Sequence, residues 1–277
     1  MNNFTDQFWQ SPDGLRLHYR DYAGPADRPV VVCLPGLTRN ARDFEGLAGR
    51  IAGQWRVLCP DMRGRGDSQY AKNSATYNPL QYVQDINALF DELRIERFVV
   101  VGTSLGGLMA MLLAMIDAKR LAGAVLNDIG PVIEPSGLAR IRDYVGQGRS
   151  FPTWMHAARA LEEEQWLAMA KRVMTVGQNG RIVYDYDMKI AEPFERPGGE
   201  AGVDLWPGYM ALAGRPLLLL RGELSDLLST ETLGEMARRI PDAVAVSVRR
   251  VGHAPTLDEP EAVQAIERLL ERVAQQA

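Results

Sequence analysis

Two stretches of mixed apolar and polar residues, 4–9 and 15–22, open the chain on either side of Ser11-Pro12-Asp13-Gly14. A turn cluster between two such runs predicts an antiparallel hairpin. The pattern then changes. Residues 29–34 form a continuous β-branched run, and after a polar loop residues 41–52 read as a helix. Residues 55–59 predict a second short strand. Residues 79–93 carry apolar side chains at helical spacing (Leu80, Val83, Ile86, Leu89, Phe90 and Leu93), so they predict an amphipathic helix. Residues 97–101 form a buried strand that runs into Gly102-Thr103-Ser104-Leu105-Gly106 and a helix rich in Leu, Met and Ala. Further strands are predicted at 121–126, 216–220 and 243–248, and Asp258-Glu259-Pro260 starts a closing amphipathic helix at 259–273. Buried strands alternating with helices argue for a mostly parallel sheet covered on both faces.

Residues 131–214 break this rhythm. They show helical segments at 137–145, 153–161 and 163–173 and a Pro- and Gly-rich loop at 193–202, with no core strand. The expected organisation is a core of residues 1–130 and 215–277, with 131–214 inserted as a helical cap. Glu162-Glu163-Glu164 reads as a solvated face or helix start.

Composition narrows the function classes. The 277 residues are 46% hydrophobic and 24% charged, the balance of a folded globular protein. A net charge of −4 offers no electrostatic footprint for nucleic acid, and no polybasic signal points to a membrane. Residues 1–10 lack the basic and apolar regions of a secretory signal, and the longest apolar stretch, 105–116, is too short to cross a bilayer. A cytoplasmic location is therefore expected. The two cysteines, Cys33 and Cys59, each lie in an apolar strand and read as free core thiols.

Gly102-Thr103-Ser104-Leu105-Gly106 is the strongest chemical signal. A serine hydroxyl needs exposure to substrate and a base to activate it. A tight strand-to-helix turn provides the exposure when small residues flank the serine, and Gly102, Gly106 and Gly107 supply that room. The base is then sought among three histidines. His253, in a loop between the last strand and the last helix, is placed at the carboxyl end of a parallel strand, where sites form in open α/β sheets. His18 lies in the hairpin and reads as structural; His156 lies in the cap. A carboxylate must orient the imidazole. Asp226, after strand 216–220, gives the order Ser104, Asp226, His253, with Glu223 and Asp128 as alternatives. The backbone N–H groups of Leu37 and Leu105 are the candidate oxyanion donors.

These residues resemble the α/β-hydrolase superfamily over nearly the whole chain. Asp61-Met62-Arg63-Gly64-Arg65-Gly66-Asp67-Ser68 resembles the family's D-x-R-G-x-G-x-S segment, whose expected role is scaffolding, and Asn127-Asp128-Ile129-Gly130-Pro131 resembles a group of its bacterial hydrolases. The resemblance implies an α/β fold with an eight-stranded sheet, the second strand alone antiparallel, and a cap after the sixth. Pro35-Gly36 departs from the family's common His-Gly, and Ser104 stands where dehalogenases and epoxide hydrolases have aspartate. The expected activity is hydrolysis of a carboxylic ester or related hydrophobic acyl compound, a small-molecule substrate, through an acyl-enzyme with no metal or organic cofactor. The alternatives are carbon–carbon bond hydrolysis or enol-lactone opening of ring-cleavage products and, on the same fold, a non-catalytic ligand receptor. Trp154, Met155, Trp206 and Tyr209 are the candidate pocket residues. Arg140, Arg142 and Arg149 are candidate partners of a substrate carboxylate.

Overall fold

The computed structural model describes residues 3–161, 166–195 and 204–276. The opening hairpin is β1 (Phe4–Gln10) and β2 (Arg16–Tyr22), paired in antiparallel register from Phe4↔Tyr22 to Gln10↔Arg16. Its turn is closed by Ser11 and Leu15, and Gly14 takes a φ of 86° there. The chain continues through β3 (Val30–Leu34), α1 (Glu45–Ile51), β4 (Val57–Pro60), α2 (Pro79–Glu92), β5 (Phe98–Thr103), α3 (Leu105–Asp117) and β6 (Leu121–Asn127). α2 starts where Asn78 accepts a hydrogen bond from the Gln81 N–H and Pro79 presets the first turn.

The segment after β6 contains α4 (Pro135–Tyr144), β7 (Ser150–Phe151), α5 (Trp154–Arg159), α6 (Trp166–Val173), β8 (Met174–Val176), β9 (Ile182–Tyr184), α7 (Glu192–Glu195) and α8 (Trp206–Met210). The main sheet then resumes with β10 (Leu217–Gly222), α9 (Thr230–Arg239), β11 (Val244–Val248) and α10 (Pro260–Ala274). Ser229 caps α9 by accepting from the Thr232 N–H.

The eight-stranded sheet has the order β1-β2-β4-β3-β5-β6-β10-β11. Strand β2 pairs antiparallel with both β1 and β4, while the other neighbouring pairs are parallel, so it alone runs against the rest. Cores lie on both faces. On one, α2, α3 and α8 cover Val32, Leu34, Val100 and Leu126; on the other, α1 and α10 cover Val31, Val99, Val101, Leu218 and Leu220. Helix α3 is apolar almost all round, as a helix packed between sheet and other helices must be. In α10, Ala262, Ile266, Leu269, Leu270 and Val273 follow the 3.6-residue period and form its buried stripe. Each such buried leucine or isoleucine is worth about 1.5–3 kcal/mol of transfer free energy. Cys33 and Cys59 are free and fully buried on neighbouring strands.

The segment between β6 and β10 holds a small sheet, β7-β9-β8, that the sequence pattern did not reveal. Its strands are two or three residues long, too short for alternation to register. The visible signal was the turn Asn179-Gly180, where Gly180 has a φ of 73° and the Gly177 N–H donates to the Arg181 carbonyl. Glu162-Glu163-Glu164 and most of the 193–202 loop lie outside the described residues. No helix among the described residues is long and apolar enough to cross a membrane.

Candidate active site

Strand β5 ends on Thr103 and helix α3 begins on Leu105, so one residue, Ser104, makes the whole turn. It has a φ of 51° and ψ of −114°, a conformation that L-residues rarely adopt and that the surrounding packing must enforce. Close packing of glycines explains the enforcement. A Cβ on Gly106 would stand 2.0 Å from the Leu34 carbonyl oxygen, and one on Gly102 would stand 2.4 Å from the Gly106 backbone. Strand β3, strand β5 and the first turn of α3 therefore touch backbone to backbone, and the serine is left projecting.

Its hydroxyl meets His253, whose Nε2 lies 2.9 Å from Ser104 Oγ. The histidine comes from the loop after β11, which is locked against β10: the Leu224 N–H donates to the Val251 carbonyl, and a Cβ on Gly222 would collide with Gly252 oxygen at 2.2 Å. On its far side, His253 Nδ1 is 2.7 Å from Asp128 Oδ2. The carboxylate beside the imidazole is therefore Asp128, and not Asp226 as the chain order had suggested. The Asp226 carboxylate is held by Arg140, whose Nε and Nη2 donate to Oδ2 and Oδ1 at 2.6 and 2.8 Å. Glu223 is also elsewhere, accepting from the Arg250 N–H at 2.7 Å. The physical reason is strand order. β6 lies directly between β5 and β10, so the residue following β6 stands beside the Ser104 turn.

Asp128 has the environment of an anchored carboxylate. Its side chain is fully buried; Oδ1 accepts from the Gly222 N–H at 2.8 Å, and Oδ2 also accepts from Ser225 Oγ at 2.7 Å. Its own φ is 56°, a left-handed conformation that aspartate tolerates better than most residues. Next to it, Asn127 Nδ2 donates to Thr103 Oγ1 and to the Pro255 carbonyl, tying the end of β6 to the elbow and to the His253 loop. Neither Asn127 nor Ser225 was found by sequence reasoning; the signal available was a polar pair, Asn127-Asp128, ending an otherwise apolar strand.

The loop after β3 flanks the serine. A Cβ on Gly36 would lie 3.9 Å from Ser104 Cβ and 3.3 Å from Arg39 Cγ. Buried Arg65 holds this loop, donating from Nε to the Leu37 carbonyl at 2.8 Å and from Nη1 to the Arg63 carbonyl and Tyr82 hydroxyl. The Leu37 and Leu105 N–H groups make no hydrogen bond among those found for the described residues. They therefore remain the candidate donors for an oxyanion.

Other candidates have different places. The His18 ring is buried between Asp61 and Asp6, with Nδ1 2.7 Å and Nε2 2.9 Å from their carboxylates. Burial works against its charge, but the two acids outweigh burial and raise its pKa above the ordinary value. Asp61 also accepts from the Ala41 and Asp67 N–H groups, so this segment cross-links the scaffold. His156 is exposed and pairs with Thr153 at the start of α5. Of the four pocket candidates, Tyr209 is turned into the core, with partly buried Trp206 beside it. Tyr209 is fully buried, donates its hydroxyl to the Met236 carbonyl at 2.6 Å and stacks edge-on with Trp206, over which Arg239 lies. Trp154 packs on the small cluster around Ala157 and Met174, and Met155 is exposed. An open cavity of about 850 Å³, with Arg28, Arg56, Arg94 and Arg97 in its wall, lies at the amino ends of the parallel strands, the opposite end of the sheet from Ser104.

Comparison with known proteins agrees with this architecture. The alpha/beta hydrolase family profile matches residues 31–266. A crystal structure of an alpha/beta hydrolase from Novosphingobium aromaticivorans is 61% identical and superposes with a TM-score of 0.94, covering 98% of this chain and 99% of that one. A 3-hydroxybutyrate-oligomer hydrolase of Cupriavidus necator is 37% identical over 268 residues, 90% of this chain and 91% of the relative. A 2-(acetamidomethylene)succinate hydrolase of Mesorhizobium japonicum is 26% identical over 237 residues, 84% of each chain. The chain is a hydrolase and belongs to the alpha/beta hydrolase family.

Proposed function

We propose that this protein hydrolyses the ester bonds of a short hydroxyacyl oligoester through an acyl-enzyme on Ser104. The observation that carries the reading is the continuous contact from Ser104 Oγ to His253 Nε2 and from His253 Nδ1 to Asp128, at 2.9 and 2.7 Å. In the neutral ring Nδ1–H donates to Asp128, which leaves the Nε2 lone pair facing the serine hydroxyl. Ser104 Oγ attacks the ester carbonyl carbon as its proton passes to Nε2. The resulting oxyanion accepts from the Leu37 and Leu105 N–H groups, while Asp128 stabilises the imidazolium. The imidazolium then gives its proton to the departing alkoxide, which leaves as the alcohol. Water, deprotonated by the same nitrogen, attacks the acyl-enzyme and releases the acid with Ser104 restored.

Similarity to the 3-hydroxybutyrate-oligomer hydrolase supports an oligoester of hydroxyacid units. Both relatives named above act, by their names, on substrates that are themselves carboxylic acids. The segment between β6 and β10 is the cap over the site in this reading: the Arg172 carbonyl of α6 accepts from Asn40 Nδ2 and Arg42 Nε, just after the Gly36 loop. The protein works as a cytoplasmic enzyme.

The test is a panel of p-nitrophenyl butyrate, the linear 3-hydroxybutyrate dimer, an enol-lactone and a ring-cleavage diketone. Saturable hydrolysis of the dimer, lost by a factor of about 10⁴ or more in Ser104→Ala, is the expected result. Turnover of the diketone or lactone alone, or a Ser104→Ala protein with the wild-type rate, overturns the proposal.

A further inference from the structure

Helix α4 is seated on the loop that follows β10. A Cβ on Gly137 would meet the Asp226 carbonyl oxygen at 2.5 Å, and the Glu134 N–H donates to the Leu227 carbonyl. That loop is joined to the candidate catalytic residues: Ser225, immediately before Asp226, donates to the same Asp128 oxygen that faces His253. Arg140 and Tyr144 stand four residues apart on α4, hence on one face. Arg140 grips Asp226, and Tyr144 reaches the Thr38 side chain, next to the Leu37 oxyanion donor. One face of α4 therefore runs from the acid–histidine side of Ser104 to its oxyanion side, with a guanidinium at one end.

We propose that Arg140 binds the terminal carboxylate of an acidic substrate, and that Asp226 competes for the same two-pronged position. The proposal rests on the ester-hydrolase reading above and names its substrate as an anionic oligoester with a free carboxyl end. The Arg140–Asp226 geometry is the bidentate fork that a guanidinium offers any carboxylate. The pair is 47% and 39% exposed, so solvent screens it and a second carboxylate has access. Arg140 holds the Asp226 carboxyl below the ordinary value, and the nearby His253 adds to the effect, so Asp226 remains an anion at neutral pH. Arg39, which also lies beside the Gly36 loop, differs: its fork is taken by Asp43, four residues along the chain, at 2.7 and 2.8 Å. The Arg140 fork instead bridges two separate parts of the chain, one of which carries the partner of His253.

The test compares hydrolysis of the 3-hydroxybutyrate dimer with that of its C-terminal primary amide, which keeps the scissile ester and removes the charge. Arg140→Gln is expected to raise KM for the acid at least tenfold more than for the amide, with Arg140→Lys recovering part of the difference. Asp226→Asn is expected to shift the preference the other way, lowering KM for the acid several-fold relative to the amide. Equal changes for acid and amide, or none in Arg140→Gln, overturn the inference. p-Nitrophenyl butyrate reports whether each variant retains a folded site, and calorimetry with Ser104→Ala measures dimer binding directly. A wild-type protein that cleaves the nitrophenyl ester but neither cleaves nor binds the acidic dimer defeats the inference alone. Full nitrophenyl esterase activity in Ser104→Ala defeats the ester-hydrolase reading instead.

Discussion

Asp128 Oδ2 stands 2.7 Å from His253 Nδ1 across 125 residues of chain, fully buried and held by the Gly222 N–H and Ser225 Oγ. A carboxylate so placed fixes the histidine tautomer as well as stabilising its charge. Asp128→Asn is expected to lower kcat on a neutral ester by about 10⁴ with little change in fold, because the amide permits the wrong tautomer. Asp226→Asn is expected to cost at least a hundredfold less than that. Steady-state kinetics of both variants ranks the two acids, and a larger loss for Asp226→Asn refutes the assignment.

The space around two glycines, one at the elbow and one in α9, predicts opposite outcomes on replacement by alanine. At Gly106 a new Cβ lies 2.0 Å from the Leu34 carbonyl, a backbone atom that cannot step aside. Gly106→Ala should destabilise the protein by roughly 3 kcal/mol and abolish esterase activity. Gly234 lies within α9 with open space where a Cβ would stand. Gly234→Ala should stabilise by about 0.4–1 kcal/mol through the reduced entropy of the unfolded chain. Urea midpoints of the two variants check both signs.

Arg63 and Asp85 form a fully buried pair, with Nε and Nη2 of Arg63 donating to Asp85 at 2.7 Å. Removing one partner strands the other charge. Arg63→Met should cost roughly 3–5 kcal/mol, and adding Asp85→Leu should restore much of it, as a chemical-denaturation double-mutant cycle would show.

The same arginine binds Asp13 on the hairpin turn, and its hydrogen bonds hold that carboxyl down at about 2. An acid with a depressed folded pKa contributes stability above its unfolded pKa of about 3.9, and that contribution disappears as pH falls toward the folded value. The stability difference between wild type and Asp13→Asn should be constant above about pH 5 and shrink between about pH 4 and 2. A difference that grows on acidification would contradict it.

Arg65 acts through Leu37, whose carbonyl it binds from a fully buried position. Arg65→Met should lower kcat on esters by about 10–100-fold with a smaller change in KM, since a loosened loop presents the proposed oxyanion donor, the Leu37 N–H, less well. Because removal of a whole oxyanion donor costs about 10²–10³, a displaced one should cost less. An unchanged kcat in a variant with a lowered melting temperature would assign Arg65 to the scaffold alone.

The sequence by itself determined the parts of this protein that depend on local order. Continuous apolar runs located the main strands, which are buried on both faces, and helical spacing located the helices, where burial repeats with the helical period. The glycines around Ser104 announced the elbow, since close backbone approach excludes any Cβ. His253 followed from its position at a strand's carboxyl end. Tertiary structure decided the rest. Asp128, Glu223 and Asp226 all follow parallel strands, and linear order favoured Asp226. Strand order across the sheet put β6 beside the elbow and left Asp226 to an arginine from another part of the chain. Tyr209 of α8 read as a pocket residue and is instead buried against α9, because side-chain type does not say which surface a helix presents. Contacts between distant segments carry no period along the chain, so neither the partner of His253 nor the position of Arg140 could be read before the chain was folded.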